Sequence, residues 1–275
     1  MTQGRSRVLW IGLGIVTALA FLVAVGPALA PYDPRAVTGP SLSAPSGAHL
    51  LGTNDAGQDI ASQLLVGARS SLTTGFAAAA LAALIGLSVG ATAGLVQGRV
   101  DVVTMRIVDL FLALPGVPLM ILVAALVGPS RPTIVAVIAL AGWPPIARVV
   151  RGQTLVLSNR GFIAAARGLG AARLYIVRRH LAPGMSPLIM ATFVSWASAA
   201  IVLDAGLAFL GLGDPTAVSW GSVLQRALGH SALYTTSAWT WWVLPAGVAV
   251  TVAALGLALV GFALEPHSNP RWRRA

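Results

Sequence analysis

RGFIAAARGLGAARLYIVRRHLAP, residues 160–183, is a basic segment within a strongly apolar chain. It holds five arginines and separates two uncharged apolar runs, residues 132–147 and 180–203. Positively charged segments next to a membrane span stay on the cytosolic side of the bilayer. The segment therefore predicts both that the chain crosses a membrane and which way it faces.

The composition indicates an integral membrane protein. Of 275 residues, 56% are hydrophobic and 9% charged, and the mean hydropathy is +0.82. A soluble domain carries about 25% charged residues, and a membrane-spanning helix needs about 20 apolar residues in a row. The apolar runs predict six spans, within residues 8–32, 70–98, 110–130, 132–147, 180–203 and 227–264. The fourth run is short, and Arg148 and Arg151 are expected to reach from its end to the membrane surface.

The arginines set the predicted orientation. With the N-terminus in the cytosol and six spans, fourteen of the 18 basic residues fall on the cytosolic side and four outside, as the positive-inside rule requires. Both termini are therefore expected in the cytosol. The first run follows Arg5 and Arg7, the order found in a signal peptide, but its length and poor cleavage site favour a retained anchor helix.

The same pattern predicts an all-α membrane protein in four parts. These are an N-terminal anchor helix at 1–30, an outer loop segment at 31–69, a five-helix core at 70–265 that includes cytosolic helices at 158–182, and a cytosolic tail at 266–275. A second outer segment is expected at 211–236.

Residues within the spans predict how the helices pack. Span two is rich in glycine and alanine, which let helix backbones approach closely in lipid, so a tight bundle is expected. Asp109, near the start of span three, is expected to pair with Arg106 or Arg148. Kinks are expected near the ends of spans three and four, at Pro115, Pro118, Pro144 and Pro145.

Several function classes are disfavoured. The chain has no cysteine, and its four histidines are scattered without an H-E-x-x-H pattern, so no metal site is expected. It has no G-x-x-x-x-G-K-[ST] loop, so we expect no ATP or other cofactor in this chain. It shows no convergent catalytic set, so an enzyme is not expected. The net charge of +10 is assigned to cytosolic loops rather than to nucleic-acid binding.

The basic segment itself predicts two short amphipathic helices. Phe162, Ala166 and Leu169 share one face of the first helix, and three apolar residues share a face of the second: Leu174, Val177 and Leu181. Gly168 and Gly170 predict the turn between them, and Pro183 suits the first turn of the next span. The residues alone leave two readings open, a helix pair lying on anionic lipid headgroups and a surface on which a partner docks.

The segment resembles the Glu-Ala-Ala loop of ABC importer permeases. Residues 162–171, FIAAARGLGA, are similar to Phe-Val-Glu-Ala-Ala-Arg-x-Leu-Gly-Ala of the peptide and nickel branch. Residues 179–183, RHLAP, are similar to that branch's Arg-His-x-x-Pro. Ala165 and Ala166 match the two alanines, whereas Ala164 stands where the family carries glutamate.

Two further blocks resemble the same branch. Residues 51–59, LGTNDAGQD, are similar to its outer motif Leu-Gly-Thr-Asp-x-x-Gly-Arg-Asp, with Gln58 where arginine is common. Residues 207–213 and 219–221, LAFLGLG and SWG, are similar to Leu-Ser-Phe-Leu-Gly-Leu-Gly and Ser-Trp-Gly. The resemblance extends over residues 30–265.

The resemblance implies a type I ABC importer permease fold and the second permease subunit of an ATP-driven importer of peptides or related small solutes in the bacterial inner membrane. It implies a sister permease, two ATPase subunits or a fused ATPase that hold ATP and Mg²⁺, and an outer solute-binding protein. The alternative is a self-sufficient channel or secondary transporter, which should show an inverted repeat or midplane charges.

Three sets of site residues follow. The resemblance assigns coupling to an ATPase to Phe162, Ala165, Ala166, Arg167, Gly170, Ala171, Arg173, His180 and Pro183. It assigns contact with the outer binding protein or a gate to Leu51, Gly52, Thr53, Asn54, Asp59 and Trp220. Polar residues of span five are candidates for the translocation path, although such residues more often join helices: Ser195, Trp196, Ser198 and Asp204.

Overall fold

The computed structural model describes the backbone of residues 2–268 and the side chains of that range other than those of residues 2–5, 164, 167, 173, 174 and 265–268. The described part is helical and contains no β-strand, which confirms the predicted all-α class. The helices are α1 (Thr2–Leu29), α2 (Ile60–Val96), α3 (Gly98–Ala113), α4 (Gly116–Val127), α5 (Arg131–Ser158), α6 (Gly161–Gly168), α7 (Arg173–Ile176), α8 (Ala182–Phe209), α9 (Trp220–Leu228) and α10 (Trp239–Ser268); a π-helical turn (Val177–Leu181) joins α7 to α8, and a 3₁₀ turn (Ser231–Tyr234) follows α9.

Five helices of the described chain are long and apolar enough to cross a membrane: α1, α2, α5, the π turn with α8, and α10. A sixth crossing is available if α3 and α4 form one broken span, since they meet at 87°. The break falls at Leu114 and Pro115, which are both extended. Proline cannot donate to the helix before it and disfavours helical geometry in the preceding residue. The six predicted spans thus correspond to five continuous helices and one bent pair.

Helix α2 is longer than the apolar run that predicted it. It begins at Ile60 rather than at residue 70, within the segment predicted as outer loop. The reason is a cap: the Asp59 carboxylate accepts the Ser62 amide hydrogen at 2.8 Å, satisfying one of the free donors of the first helical turn. The first turns of α2 therefore lie outside the strictly uncharged part of the sequence.

Helix α5 also continues beyond its apolar run, through Pro144 and Pro145, to Ser158. Arg148 forms an ion pair with Asp109 of α3 at 2.5 Å, which confirms the predicted pair. Arg151 forms an ion pair with Asp101 of α3, also at 2.5 Å. The last turns of α5 therefore contain two arginines, and both form ion pairs with α3.

The centre of the bundle is the contact between α2 and α5, the most extensive in the fold; α2 also packs on α8 and α1. A Cβ on Gly86, Gly90 or Gly94 would lie within 2.7 Å of an atom of α5. At Gly90 the nearest atom is the Ala147 carbonyl oxygen, at 2.3 Å. Close backbone approach is what holds helices together in lipid, and the predicted tight packing is confirmed.

The two ends of the bundle differ in construction. Residues 30–59, α9 and the 3₁₀ turn lie at one end, which we call the loop end, and α6, α7 and the π turn lie at the other, the helix-pair end. At the loop end, Leu42 and Leu51 pack against a cluster that includes Ile60, Val223 and Trp242, so this segment folds onto the ends of the long helices as predicted. That the helix-pair end faces the cytosol remains a prediction.

Candidate functional site

The helix pair α6–α7 is joined by the predicted glycine turn. The Ala171 amide donates to the Ala166 carbonyl oxygen, and Gly170 between them has φ of +81°. This is the Schellman arrangement that ends many helices, and it favours glycine because L-residues rarely adopt such a φ. Nothing lies within 4 Å of a Cβ placed on Gly170. The requirement for glycine therefore comes from the backbone and not from crowding.

One face of the helix pair is anchored in the bundle. Ile163, Ile176 and Leu181 are buried and share a hydrophobic cluster with Leu157 of α5 and Met185 of α8. Burying one aliphatic side chain of this size contributes about 1.5–3 kcal/mol. Three such anchors hold the pair to two long helices, so a displacement of the pair is expected to carry α5 and α8 with it.

The opposite face exposes apolar and aromatic side chains. Phe162 is 50% exposed, Leu169 90% and Tyr175 54%. The His180 ring lies between the two aromatic rings, with centroids 5.5 Å from Phe162 and 5.8 Å from Tyr175. Exposed apolar patches of this kind mark surfaces that contact a partner or a membrane. We call this face, formed by Phe162, Leu169, Tyr175 and His180, the aromatic face.

The predicted coupling residues all lie on this segment, but in different environments. The exposed ones are Phe162, Ala165, Gly170 and Pro183, and the half-buried ones are Ala166, Ala171 and His180. Pro183 lies in the first turn of α8, as predicted. The side chains of Arg167 and Arg173 lie outside the described residues. Sequence reasoning missed the anchors Ile163 and Ile176, because it did not separate the buried apolar residues from the exposed ones.

At the loop end, Asp59 is fully buried and joins three pieces of chain. One carboxylate oxygen accepts the amide and hydroxyl hydrogens of Ser62, at 2.8 and 2.7 Å. The other lies 2.9 Å from Nδ1 of the buried His49. The residue therefore caps α2 and fixes the preceding loop to it.

Asn54, which is also fully buried, closes the loop from inside. Its Oδ1 accepts the amide hydrogens of Ala56 and Gln58, each at 2.9 Å. Gly57 has φ of +74°, and a Cβ there would lie 2.1 Å from the Gly39 carbonyl oxygen. The motif at 51–59 is thus a compact turn whose polar groups are satisfied internally.

These contacts alter the expected role of the outer set. Gly52, Thr53, Asn54, Asp59 and Trp220 are buried and Leu51 is half-buried. The Trp220 indole donates to the Leu64 carbonyl oxygen at 3.0 Å, and its amide to Ser71 Oγ at 3.1 Å. In this conformation the buried members of the set hold the loop end against α2, and contact with the outer binding protein or a gate remains a prediction.

Ser198 and Trp196 each contact a neighbouring helix. The Ser198 hydroxyl donates to the Ala254 carbonyl oxygen of α10 at 2.7 Å. The Trp196 indole covers Gly142 of α5, where a Cβ would lie 2.2 Å from the ring. Ser195 is exposed. The structure does not bring these residues together around one channel, and a role in translocation remains a prediction for each.

Asp204, the fourth candidate, lies nearer the loop end. Its side chain is buried in α8 and borders a small internal space shared with Arg131 and Ser70. Nearby, the amide and hydroxyl of Thr216 donate to Asp214 at 2.8 and 2.6 Å. The hydroxyl bond is the main cause that lowers the pKa of the Asp214 carboxyl below its ordinary value, so this group is charged at neutral pH.

Two larger cavities open at the loop end. One, of about 650 Å³, is lined by polar residues that include Asp55, Gln58 and Arg226. The Arg226 guanidinium pairs with Asp55 at 2.6 Å and ties α9 to the loop. The other, of about 580 Å³, is lined by Arg35 and two further arginines and lies between the outer loop, α2 and the start of α5.

The comparison with known families decides what this architecture is. The family described as binding-protein-dependent transport system inner membrane component matches residues 86–274. The match covers more than half of the chain and includes the helix pair with its anchors on α5 and α8. The chain belongs to this permease family. It is a multi-pass inner-membrane subunit of an ABC importer, and it is not itself catalytic.

Two relatives cover nearly the whole permease. A protein of Brucella suis biovar 1 that carries the name peptide permease protein is 34% identical over 270 residues, which is 97% of this chain and 88% of that protein. A protein of Escherichia coli strain K12 named as a D,D-dipeptide transport system permease protein is 33% identical over 261 residues, covering 94% and 85%. The resemblance drawn from the sequence motifs is confirmed, and membership decides against a self-sufficient channel or secondary transporter.

A permease of this family works with an ATPase and with a solute-binding protein. ATP hydrolysis belongs to the ATPase and not to the permease chain. What the permease must offer is a path between the helices and a surface on which an ATPase can act. The anchored helix pair with its aromatic face has the geometry for the second task.

Proposed function

We propose that this permease carries peptides or related small solutes inward, as the second permease chain of its importer. The support is similarity over nearly the whole chain to relatives that carry peptide and dipeptide permease names. The proposed assembly contains a sister permease, two cytosolic ATPase subunits or one fused ATPase, and an extracytoplasmic solute-binding protein. ATP and Mg²⁺ are bound by the ATPases, and this chain transmits their movement.

The helix pair is the proposed coupling element. The observation that carries this assignment is its two-sided construction: Ile163 and Ile176 are buried in the bundle, whereas Phe162, Leu169 and Tyr175 are exposed. An exposed aromatic surface on a firmly anchored element suits a groove on a partner protein, since aromatic side chains dominate the energetics of such contacts. In the proposed assembly the aromatic face seats on one ATPase.

Transport then follows from two states of the bundle. When the ATPases close on ATP, the docked helix pair moves as a rigid body, and its anchors on Leu157 and Met185 pull α5 and α8 toward an outward-open arrangement. Hydrolysis returns the bundle to the inward-facing state. ATP can shift this equilibrium only if the docked ATPase favours one state over the other.

The first prediction concerns Gly170. Gly170→Pro should leave membrane insertion and ATP hydrolysis intact but reduce solute uptake by at least about tenfold, because proline fixes φ near −65° where the turn needs +81°. Arg173→Glu is expected to uncouple in the same way. The measurement is uptake per ATP hydrolysed in vesicles that contain the whole importer.

Gly168→Ala is the matched control, since a Cβ at Gly168 meets nothing within 4 Å and φ there is not positive. Its uptake should equal that of the wild type. Normal uptake by well-inserted Gly170→Pro and Arg173→Glu variants would count decisively against the coupling role.

A further inference from the structure

The 580 Å³ cavity at the loop end is unusual for its charge; we call it the arginine cavity. Arg35 from the outer loop, Arg69 from α2 and Arg131 from the start of α5 all line it, together with one acidic residue, Asp33. The lining therefore carries a formal charge of +2, three arginines less one aspartate. Its volume falls within the range of about 300–1,000 Å³ in which small-molecule sites are found.

The three guanidinium groups form no direct ion pair with a carboxylate of the described residues. The ion pairs found among the described side chains involve His49, Arg148, Arg151 and Arg226, and none of the three cavity arginines. Asp33 lines the same cavity, and its Oδ1 accepts the Arg35 amide hydrogen at 2.8 Å. Two further acidic groups lie near Arg131: Asp214, which accepts from Thr216, and the buried Asp204.

Two of the arginines are held in position by uncharged groups. Arg35 donates from one Nη to the Thr216 carbonyl oxygen, and Arg131 donates from one Nη to the Thr73 hydroxyl. Each guanidinium has five N–H donors, so most of its donors are still available to the cavity. Groups fixed in advance lose little freedom when a ligand binds, which favours binding.

We infer that the arginine cavity binds the carboxylate of a solute on its way through the permease. Guanidinium is planar and matches a carboxylate with two parallel N–H···O bonds. Val66 and Val218 form apolar wall beside the arginines, which suits the uncharged body of a short peptide whose C-terminal carboxylate meets Arg69. The inference rests on the proposed function for its peptide substrate, and it adds which part of the solute the permease recognises.

The test uses the importer in lipid nanodiscs, with both permease chains and the ATPases but without the solute-binding protein. Ligand binding then cannot come from the solute-binding protein. The probes are trialanine and trialanine amide, which differ in the carboxylate. Wild type should bind trialanine at least about tenfold more tightly than the amide, equivalent to about 1.4 kcal/mol. Arg69→Gln should remove that preference while leaving binding of the amide unchanged. Arg99→Gln, an exposed arginine at the start of α3 and remote from the cavity, is the matched control and should behave as wild type.

Two results would overturn the inference. One is equal binding of both probes by the wild type, or a preference that survives in Arg69→Gln. The other is unchanged trialanine binding by Arg69→Gln while a separate copurification shows that this variant no longer retains the solute-binding protein or the sister permease, which would assign the arginines to a carboxylate of a partner protein.

A separate measurement keeps the two proposals apart. Uptake of trialanine by the wild-type importer with its binding protein tests the proposed peptide transport. Failure there counts against peptide import as such, whereas normal uptake without a carboxylate preference in the binding assay counts against the arginine cavity alone.

Discussion

At the loop end, a single buried side chain, Asp59, joins the outer loop to the start of α2. Asp59 has no exposed surface, and its carboxylate is paired with the Ser62 amide and hydroxyl and with the His49 ring. A buried carboxylate is stable only when its hydrogen bonds are complete. At the scale of the residue, the loop end is therefore specified by polar geometry as well as by the apolar contacts of Leu42 and Leu51.

Replacing Asp59 by alanine should destabilise the permease by about 1–3 kcal/mol, since the α2 cap is lost and His49 keeps a buried polar atom without its partner. Asp59→Ser is the control, because a serine hydroxyl can still cap the helix; it should lose less stability. Thermal unfolding in detergent measures the difference. Equal midpoints for wild type and Asp59→Ala would show that the cap contributes nothing.

At the scale of the element, the sequence predicted which segments cross the membrane but not where each begins. Apolar length identifies a span because lipid leaves the backbone no partner except the helix itself. An apolar run ends at the first charged residue, so the run that follows Arg69 did not include the first turns of α2. The capping signal that marks its true start, Asp59 directly before Ile60, was present in the sequence. For the broken third span, Pro115 predicted a kink but not an 87° bend, whose size depends on how α3 and α4 pack on α5.

The helix pair shows the same limit at the site. Its glycine turn was predictable because Gly170 needs a backbone conformation that few residues adopt. Its buried face was not, since neighbouring residues such as Phe162 and Ile163 are both apolar and only the surrounding helices decide which is covered. The outer motif was recognised by its residues, but their burial in a hydrogen-bonded turn depends on contacts distant in the sequence.

The α2–α5 contact gives a prediction for an element. Gly90→Ala should destabilise the bundle by about 1–3 kcal/mol, because its Cβ would lie 2.3 Å from the Ala147 carbonyl oxygen and overpacking costs this much. Gly247→Ala in α10 is the matched control, since nothing lies within 4 Å of a Cβ there and alanine favours the helix. Both variants are compared by unfolding in mixed detergent micelles. A Gly90→Ala protein as stable as Gly247→Ala would mean that the two helices can separate at no cost.

At the scale of the whole molecule, the two ends are built in different ways. The loop end closes its polar groups internally around Asn54 and Asp59, and the helix-pair end exposes Phe162, Leu169 and Tyr175. The hydrogen bonds of Asn54 and Asp59 are made within the chain, so the turn at 51–59 is held without a partner. In the proposed assembly, an ATPase covers the exposed aromatic face of the helix pair.

Hydrogen exchange should report this difference. Amides at 161–172 are expected to exchange more slowly in the assembled importer than in permease stripped of its ATPases, because docking suppresses local opening. Amides at 52–59 should exchange at the same slow rate in both, which serves as the internal control. Identical exchange at 161–172 in the two samples would indicate that the ATPase does not cover the helix pair.

Helix α5 runs unbroken from Arg131 to Ser158, a length of about 42 Å at 1.5 Å per residue. Its first residue lines the arginine cavity, and Leu157, near its last, anchors the helix pair. If one rod serves both ends, linkage demands that the effect be mutual: whatever ATPase closure does to affinity in the cavity, a solute in the cavity does to ATPase closure, by the same factor. Solute binding in the cavity and ATPase closure then report the same coupling free energy.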